Sequence, residues 1–253
     1  MEKERLNNIL NNKIEHVWDI RKHNFEPIID FYIPKKTLPI SLTGPVCKLN
    51  CSHCNRHYLR HMIFPEKFSG LLNKSNDFSF LVSGGCNENG AVPFDGNFDF
   101  LQRLRNSGHR LNVHTGLIEE KDIEKIASFA DVVSFDFIVD NETIKEVYHL
   151  DKSRDDYIKT YKALRKKVKV IPHICIGLKG GRIKGEYFAI SELKKLGADS
   201  LSFIIFMPTR NTTYENASPP PLQDILEILA YARTILPTTH INLGCMRPKG
   251  RLR

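Results

Sequence analysis

The chain contains no run of eighteen apolar residues. Its densest apolar patch, SFIIFM from Ser202 to Met207, is strand-length, so no membrane-spanning helix is expected. The opening residues, MEKERLNNILNN, lack the apolar core of a secretory leader, and a cytoplasmic location without membrane attachment is expected. In that compartment the six cysteines are expected as metal ligands or buried thiols rather than disulfides. No internal repeat or low-complexity tract occurs. No aromatics interleave with the basic runs KALRKKVKV (162–170) and RPKGRLR (247–253), which argues against a single-strand nucleic-acid surface. Those runs read as a solvated helix face and a basic tail. The net charge of +8 nevertheless favours an acidic partner, whether nucleic acid, an acidic protein or an anionic cofactor.

What is present is alternation. Apolar, strand-length segments stand at 39–43, 78–83, 110–114, 131–137, 169–177, 199–206 and 240–244, several of them apolar at nearly every position, as strands buried on both faces are. Helical patterns fill 97–107, 119–129, 153–166, 186–196 and 222–235, with SPPP (218–221) just before the last, where proline is tolerated. Such repetition predicts parallel βαβ units: an α/β partial (β/α) barrel of six to seven strands, open because only nine residues follow the last one. Residues 1–38 read as an N-terminal helical extension, with Leu6, Leu10, Ile14 and Val17 on one face and prolines 27 and 34 after it. Residues 39–253 read as the barrel, the whole forming a single domain.

The densest chemistry is VCKLNCSHCNRHY, Val46 to Tyr58, directly after the first strand. In parallel α/β folds, ligands bind at the C-terminal ends of strands. Cys47, Cys51 and Cys54, spaced C-x3-C-x2-C, can wrap three corners of an iron–sulfur cubane and leave one iron open. A zinc site completed by His53 or His57 is the competing reading, although structural zinc motifs usually come as two separated pairs.

CKLNCSHC resembles the cluster loop of the radical S-adenosylmethionine (SAM) superfamily, with His53 where a planar side chain usually stands. The resemblance implies a partial barrel of that type. It also implies a [4Fe–4S] cluster on the three cysteines, SAM on the open iron, and one-electron cleavage of SAM to a 5′-deoxyadenosyl radical that abstracts hydrogen from carbon. Ser83, Gly84 and Gly85 end the second strand where the superfamily holds the SAM amino group, although the following residues are Cys86 and Asn87 rather than glutamate and proline. Asp136, ending the fourth strand, is a candidate for the ribose hydroxyls; capping the next helix is the plain alternative. Gly177 lies in IGLKGGRIKGE (176–186), which resembles the adenine-side segment, and glycine clusters alone are weak evidence.

Cys86, Cys175 and Cys245 fall near the ends of strands two, five and seven, and barrel geometry can bring distant strand ends together. They are candidate ligands of a second iron–sulfur cluster, with His114, His173 or Arg247 as a fourth; buried apolar thiols are the alternative. HICIG around Cys175 is similar to the fifth-strand segment of biotin synthase, where a cysteine ligates a sulfur-donating cluster.

Five stretches resemble biotin-synthase-related proteins that work in pairs as split lipoyl synthases: LTGPVCKLNCSHCNRHYLRHM (42–62), SGGCNENGAVPF (83–94), DFIVDNETIKEVYHLDKS (136–153), VIPHICIGLKGG (170–181) and LGCMRPKG (243–250). The resemblance implies the smaller partner of such a pair, a sulfurtransferase acting on an octanoyl chain carried by an acidic lipoyl domain. Its partners would be a second radical SAM protein and an electron donor, and Arg247 is a candidate catalytic residue. The third-strand cysteine of biotin synthase is missing, Asn112 or His114 standing there, and the N-terminal three-cysteine motif of single-chain lipoyl synthase is absent. A biotin-synthase-like or mutase-type enzyme without sulfur insertion remains open, as does a metal-bearing nucleic-acid scaffold. The polar stretch FMPTRNTTYEN (206–216) reads as a surface connector or a lining of the substrate entrance.

Overall fold

A computed structural model describes residues 2–32, 36–65 and 79–248, with side chains from Lys13 onward. In chain order come α1 (Glu2–Asn24), β1 (Thr37–Ser41), β2 (Ser79–Ser83), α2 (Phe98–Asn106), β3 (Arg110–His114), α3 (Glu120–Phe129), β4 (Val132–Asp136), α4 (Asn141–Tyr148), α5 (Arg154–Arg165), β5 (Val170–Ile176), α6 (Glu186–Lys195), β6 (Ser200–Ile205), α7 (Leu222–Ile235) and β7 (His240–Leu243). All seven strands are parallel in one sheet of order β1 to β7, and β1 does not pair with β7. This is the expected open, partial (β/α) barrel.

The strands are not apolar on both faces. In β5 burial alternates strictly: Val170, Ile174 and Ile176 are buried while Ile171, His173 and Cys175 are half-buried. The buried set faces the helices, as Phe135 shows by packing its ring 6.1 Å from Tyr157 and 6.2 Å from Tyr161 of α5. Each such side chain contributes roughly 1.5–3 kcal/mol, so a one-residue slip in register would be prohibitive. The other face lines the lumen and is largely polar. The pairing register brings His114 beside Ser134, Asp136 beside His173, His173 beside Ser202, and Ser202 beside Asn242. Cys175 therefore points inward.

Every helical pattern read from the sequence is present within a residue or so, and α4 is an addition. It is short, and its start depends on a local cap: the Asp140 carboxylate accepts from the Thr143 amide at 2.8 Å and the Thr143 hydroxyl at 2.6 Å. It stops at His149, whose φ of 57° is left-handed. The helix α1 packs on α7, and beyond its end Phe25 seats between the His240 ring, 5.3 Å away, and the Arg233 guanidinium, 4.6 Å above it. The side chains of Leu6 and Leu10, and the tail from 249, lie outside the described residues. Among the described residues no helix is long and apolar enough to cross a membrane.

Candidate cluster and cofactor site

Cys47, Cys51 and Cys54 lie on the loop leaving the C-terminal end of β1. The loop is tightly wound. Asn50, Asn55 and Arg56 all have positive φ, of 48°, 38° and 63°, a conformation asparagine adopts at low cost and arginine does not. The Cys51 carbonyl accepts from the amides of Cys54 (3.1 Å) and Asn55 (3.0 Å), and the Cys54 carbonyl accepts from His57 (2.7 Å). The sulfurs of Cys51 and Cys54 and a ring nitrogen of His53 lie within 4.8 Å of one another. A hydrogen bond from Cys51 pulls the Cys54 thiol down to about 4, with His53 adding to it against the effect of burial; the same bond pushes Cys51 up.

The loop rests on the turn after β2. Thr43 joins them: its hydroxyl donates to the Val46 carbonyl at 2.9 Å and accepts from the Gly85 amide at 2.6 Å. A Cβ on Gly85 would stand 1.9 Å from the Val46 oxygen and 2.5 Å from the Cys47 Cβ, so only glycine permits this approach. One residue on, the Cys86 carbonyl accepts from the Lys48 amide at 2.8 Å.

On the far side the loop is held by α4. The Ser52 amide donates to the Val147 carbonyl at 2.8 Å, and its hydroxyl lies 3.0 Å from the Glu146 carbonyl and 3.2 Å from His149 Nε2. The Tyr148 ring sits 5.3 Å from that of His53. In turn α4 is clamped to the loop after β5 by Lys179, whose buried ammonium pairs with Glu142 at 2.5 Å and Glu146 at 3.0 Å.

The stretch 206–216 does more than connect. The Asn55 side-chain amide donates to the Asn211 carbonyl (2.9 Å), the Tyr58 and Thr209 hydroxyls pair (3.0 Å), and the Tyr214 amide donates to the Ser52 carbonyl (3.2 Å). Three bonds thus join the loop after β6 to the cysteine loop.

Asp136 stands exposed at the mouth, and its charge is felt by His114, His173, Cys86, Cys175 and Tyr148. Burial drives His114 down to about 4 and lowers His173 as well, so both imidazoles are neutral. Their rings lie 5.8 Å apart, and His173 Nδ1 is 3.1 Å from the Ile171 carbonyl. Asp136 does not cap α4; Asp140 does. Gly177, at φ 75°, donates its amide to the buried Glu186 carboxylate at 2.8 Å and accepts from Gly181 at 2.7 Å, so both its backbone groups are engaged within the chain.

The other three cysteines are not gathered alike. Burial pushes Cys86 up to about 12, and the charges it feels are those of Cys47, Asp136 and Cys54. Burial also raises Cys175, inside the barrel beside Asp136. Cys245 is exposed beyond β7 and belongs to neither set; Arg247 is exposed too, its guanidinium on the Gly244 carbonyl.

No protein-family model matches the chain, and no curated protein matches it. Solved structures do. Methylornithine synthase (PylB) is similar over 96% of this chain and 80% of its own, at 14% identity and a TM-score of 0.60. Streptococcus suis SuiB, bound to S-adenosylmethionine, is similar over 96% and 56% at 18% identity and a TM-score of 0.62. Coproporphyrinogen III oxidase (HemN) from Escherichia coli, described as a radical SAM enzyme, is similar over 81% and 53% at 15% identity and a TM-score of 0.53. The fold is the radical SAM fold. The chain spans little more than half of SuiB and HemN.

Within the radical SAM fold, the residues present fit a three-thiolate cluster. They supply three sulfurs on one loop at the strand mouth and a glycine whose missing side chain admits that loop. Sequence reading named Cys47, Cys51, Cys54, the glycine pair and Asp136 as candidates, and the structure places them at the C-terminal ends of the strands. It did not name Thr43, Ser52, Asn55 or Tyr58; a local signal was the Asp140–Thr143 capping spacing that builds α4.

Proposed function

We propose that this chain is a radical SAM enzyme, with Cys47, Cys51 and Cys54 holding a [4Fe–4S] cluster and Ser83 to Gly85, Asp136 and His53 surrounding SAM. One observation carries the reading: the three-cysteine loop lies at the barrel mouth, on a glycine turn that no side chain could share. A cluster and SAM bound there supply one-electron cleavage of SAM and hydrogen abstraction from a substrate C–H bond. The chain's own part is positional. Thr43 and Gly85 fix one side of the loop, and Ser52 and Asn55 fix the other. The neutral imidazoles and Asp136 then offer hydrogen bonds in the lumen. Anaerobic protein with SAM and dithionite should yield 5′-deoxyadenosine, and a Cys51→Ala variant should not.

The finer reading is sulfur insertion into an octanoyl chain on a lipoyl domain, beside a second radical SAM protein and an electron donor. Sequence resemblance supports it, and the +8 charge suits an acidic carrier domain. It asks Cys86, Cys175 and Cys245 to hold a second, sulfur-donating cluster. Octanoyl-lipoyl domain incubated with SAM, reductant and the partner should gain mass in single-sulfur steps.

A second reading, a small-molecule enzyme without sulfur insertion, is favoured by the exposure of Cys245 and by the polar lumen. An unchanged acyl domain together with SAM cleavage would select it.

A further inference from the structure

We propose that Cys51, His53 and Cys54 form a second kind of metal site, taking one zinc-class divalent cation while Cys47 stays outside, and that filling it excludes the cluster. This rests on the cluster reading only for its consequence; the site itself follows from geometry. Two sulfurs and an imidazole nitrogen already lie within 4.8 Å of one another. Zinc–sulfur and zinc–nitrogen bonds of about 2.3 and 2.0 Å set tetrahedral ligand atoms roughly 3.5–4 Å apart, so closing on the ion needs about 1 Å of side-chain movement. The backbone already holds the turn, through the bonds from Cys54 and Asn55 to the Cys51 carbonyl.

His53 gives an independent indication. Its Nδ1 is buried with no hydrogen-bond partner among the described residues. An unsatisfied buried polar atom is costly, and a metal bond would relieve it. A cubane makes no use of this nitrogen when three thiolates supply its corners. The two states therefore share Cys51 and Cys54 and differ in the third ligand: Cys47 for the cluster, His53 for the single ion. Cys47 does not belong to the compact group, lying beyond the left-handed turn at Asn50. Imidazole and thiolate together favour zinc over ferrous iron in the general order of affinities. Binding takes both sulfurs as thiolates and releases to solvent whatever protons they carry, moves no electron and leaves a fourth position for water.

Cobalt(II), a coloured stand-in for zinc, tests this on the cluster-free, full-length protein without oxygen. One cobalt per chain should bind with a sulfur-to-metal charge-transfer band, and zinc should displace it. Cys47→Ser should bind as the parent does, whereas Cys51→Ser, Cys54→Ser and His53→Gln should each bind about tenfold more weakly or worse. Circular dichroism confirms that each variant is folded. Equal loss in Cys47→Ser and Cys51→Ser, or unchanged binding in His53→Gln, would overturn the site. For the exclusion, iron and sulfide are added with and without one equivalent of zinc. Zinc should block iron uptake in the parent and much less in His53→Gln; uptake indifferent to zinc would refute it. Failure to take up iron even without zinc would instead count against the radical SAM reading, while the cobalt result stood.

Discussion

Asn55 on the cysteine loop donates its side-chain amide to the Asn211 carbonyl at 2.9 Å, joining residues 156 apart in sequence. With Tyr58–Thr209 and Tyr214–Ser52 it makes the loop after β6 a strap onto the cysteine loop. The loop after β6 is thereby tied to the loop that would carry the cluster.

The strap should loosen when these bonds are cut. Asn55→Ala and Tyr58→Phe each remove one hydrogen bond, worth about 1 kcal/mol. Hydrogen exchange of amides 209–214 should accelerate several-fold in each variant while the amides of β3 and β4 keep their protection. Equal exchange in parent and variants would show that the strap is held by something else.

Gly85→Ala and Gly84→Ala should differ sharply. At Gly84 the nearest atoms to a new Cβ are 3.2 Å away, at Gly85 only 1.9 Å. Overpacking of the second kind costs about 1–3 kcal/mol. Urea unfolding should place Gly85→Ala well below the parent and Gly84→Ala close to it, and iron uptake should fall only for Gly85→Ala. Indistinguishable midpoints would contradict the close approach of the two loops.

His114 should make the fold sensitive to acid. Its folded value of about 4 lies below the unconstrained 6.5, chiefly through burial, with Asp136 opposing. A base depressed in this way is neutral when folded, so the unfolded chain binds more protons between those values. Its contribution is complete above about pH 6.5 and is lost as the pH falls toward 4, amounting to at most about 3 kcal/mol. Urea midpoints measured at pH 7.5 and 4.5 should fall less in His114→Gln than in the parent; parallel falls would remove His114 from the account.

Exposure should rank the thiols. In cluster-free native protein, iodoacetamide should label Cys245 well before buried Cys51. Protection of Cys245 after iron and sulfide loading would support the second cluster. Labelling of Cys245 at an unchanged rate in iron-loaded protein would leave that cluster without its third cysteine.

The parallel barrel and the cysteine loop were legible in the residues because both are local. Hydrophobic period separates strands from helices, and C-x3-C-x2-C lies within one turn of chain. The glycine pair was legible as a turn, but its purpose was not: only the packed structure puts Val46 and Cys47 where a Cβ would be. The fate of Cys86, Cys175 and Cys245 was equally closed to sequence. Cys175 does turn into the barrel, Cys86 sits beside the cluster loop, and Cys245 remains at the surface.

The amino-acid order by itself determined the strand–helix alternation, apart from α4, and the three-thiol loop, since these follow from backbone propensity, hydrophobic period and short-range spacing. Tertiary structure alone decided what holds that loop, because Thr43, Gly85, Ser52, α4 and Asn211 act on it through contacts between distant chain segments, Asn55 and Asn211 lying 156 residues apart. Hydrogen bonds of about 3 Å impose no pattern on the intervening sequence, so they become visible only when the sheet has curled and brought its strand ends together.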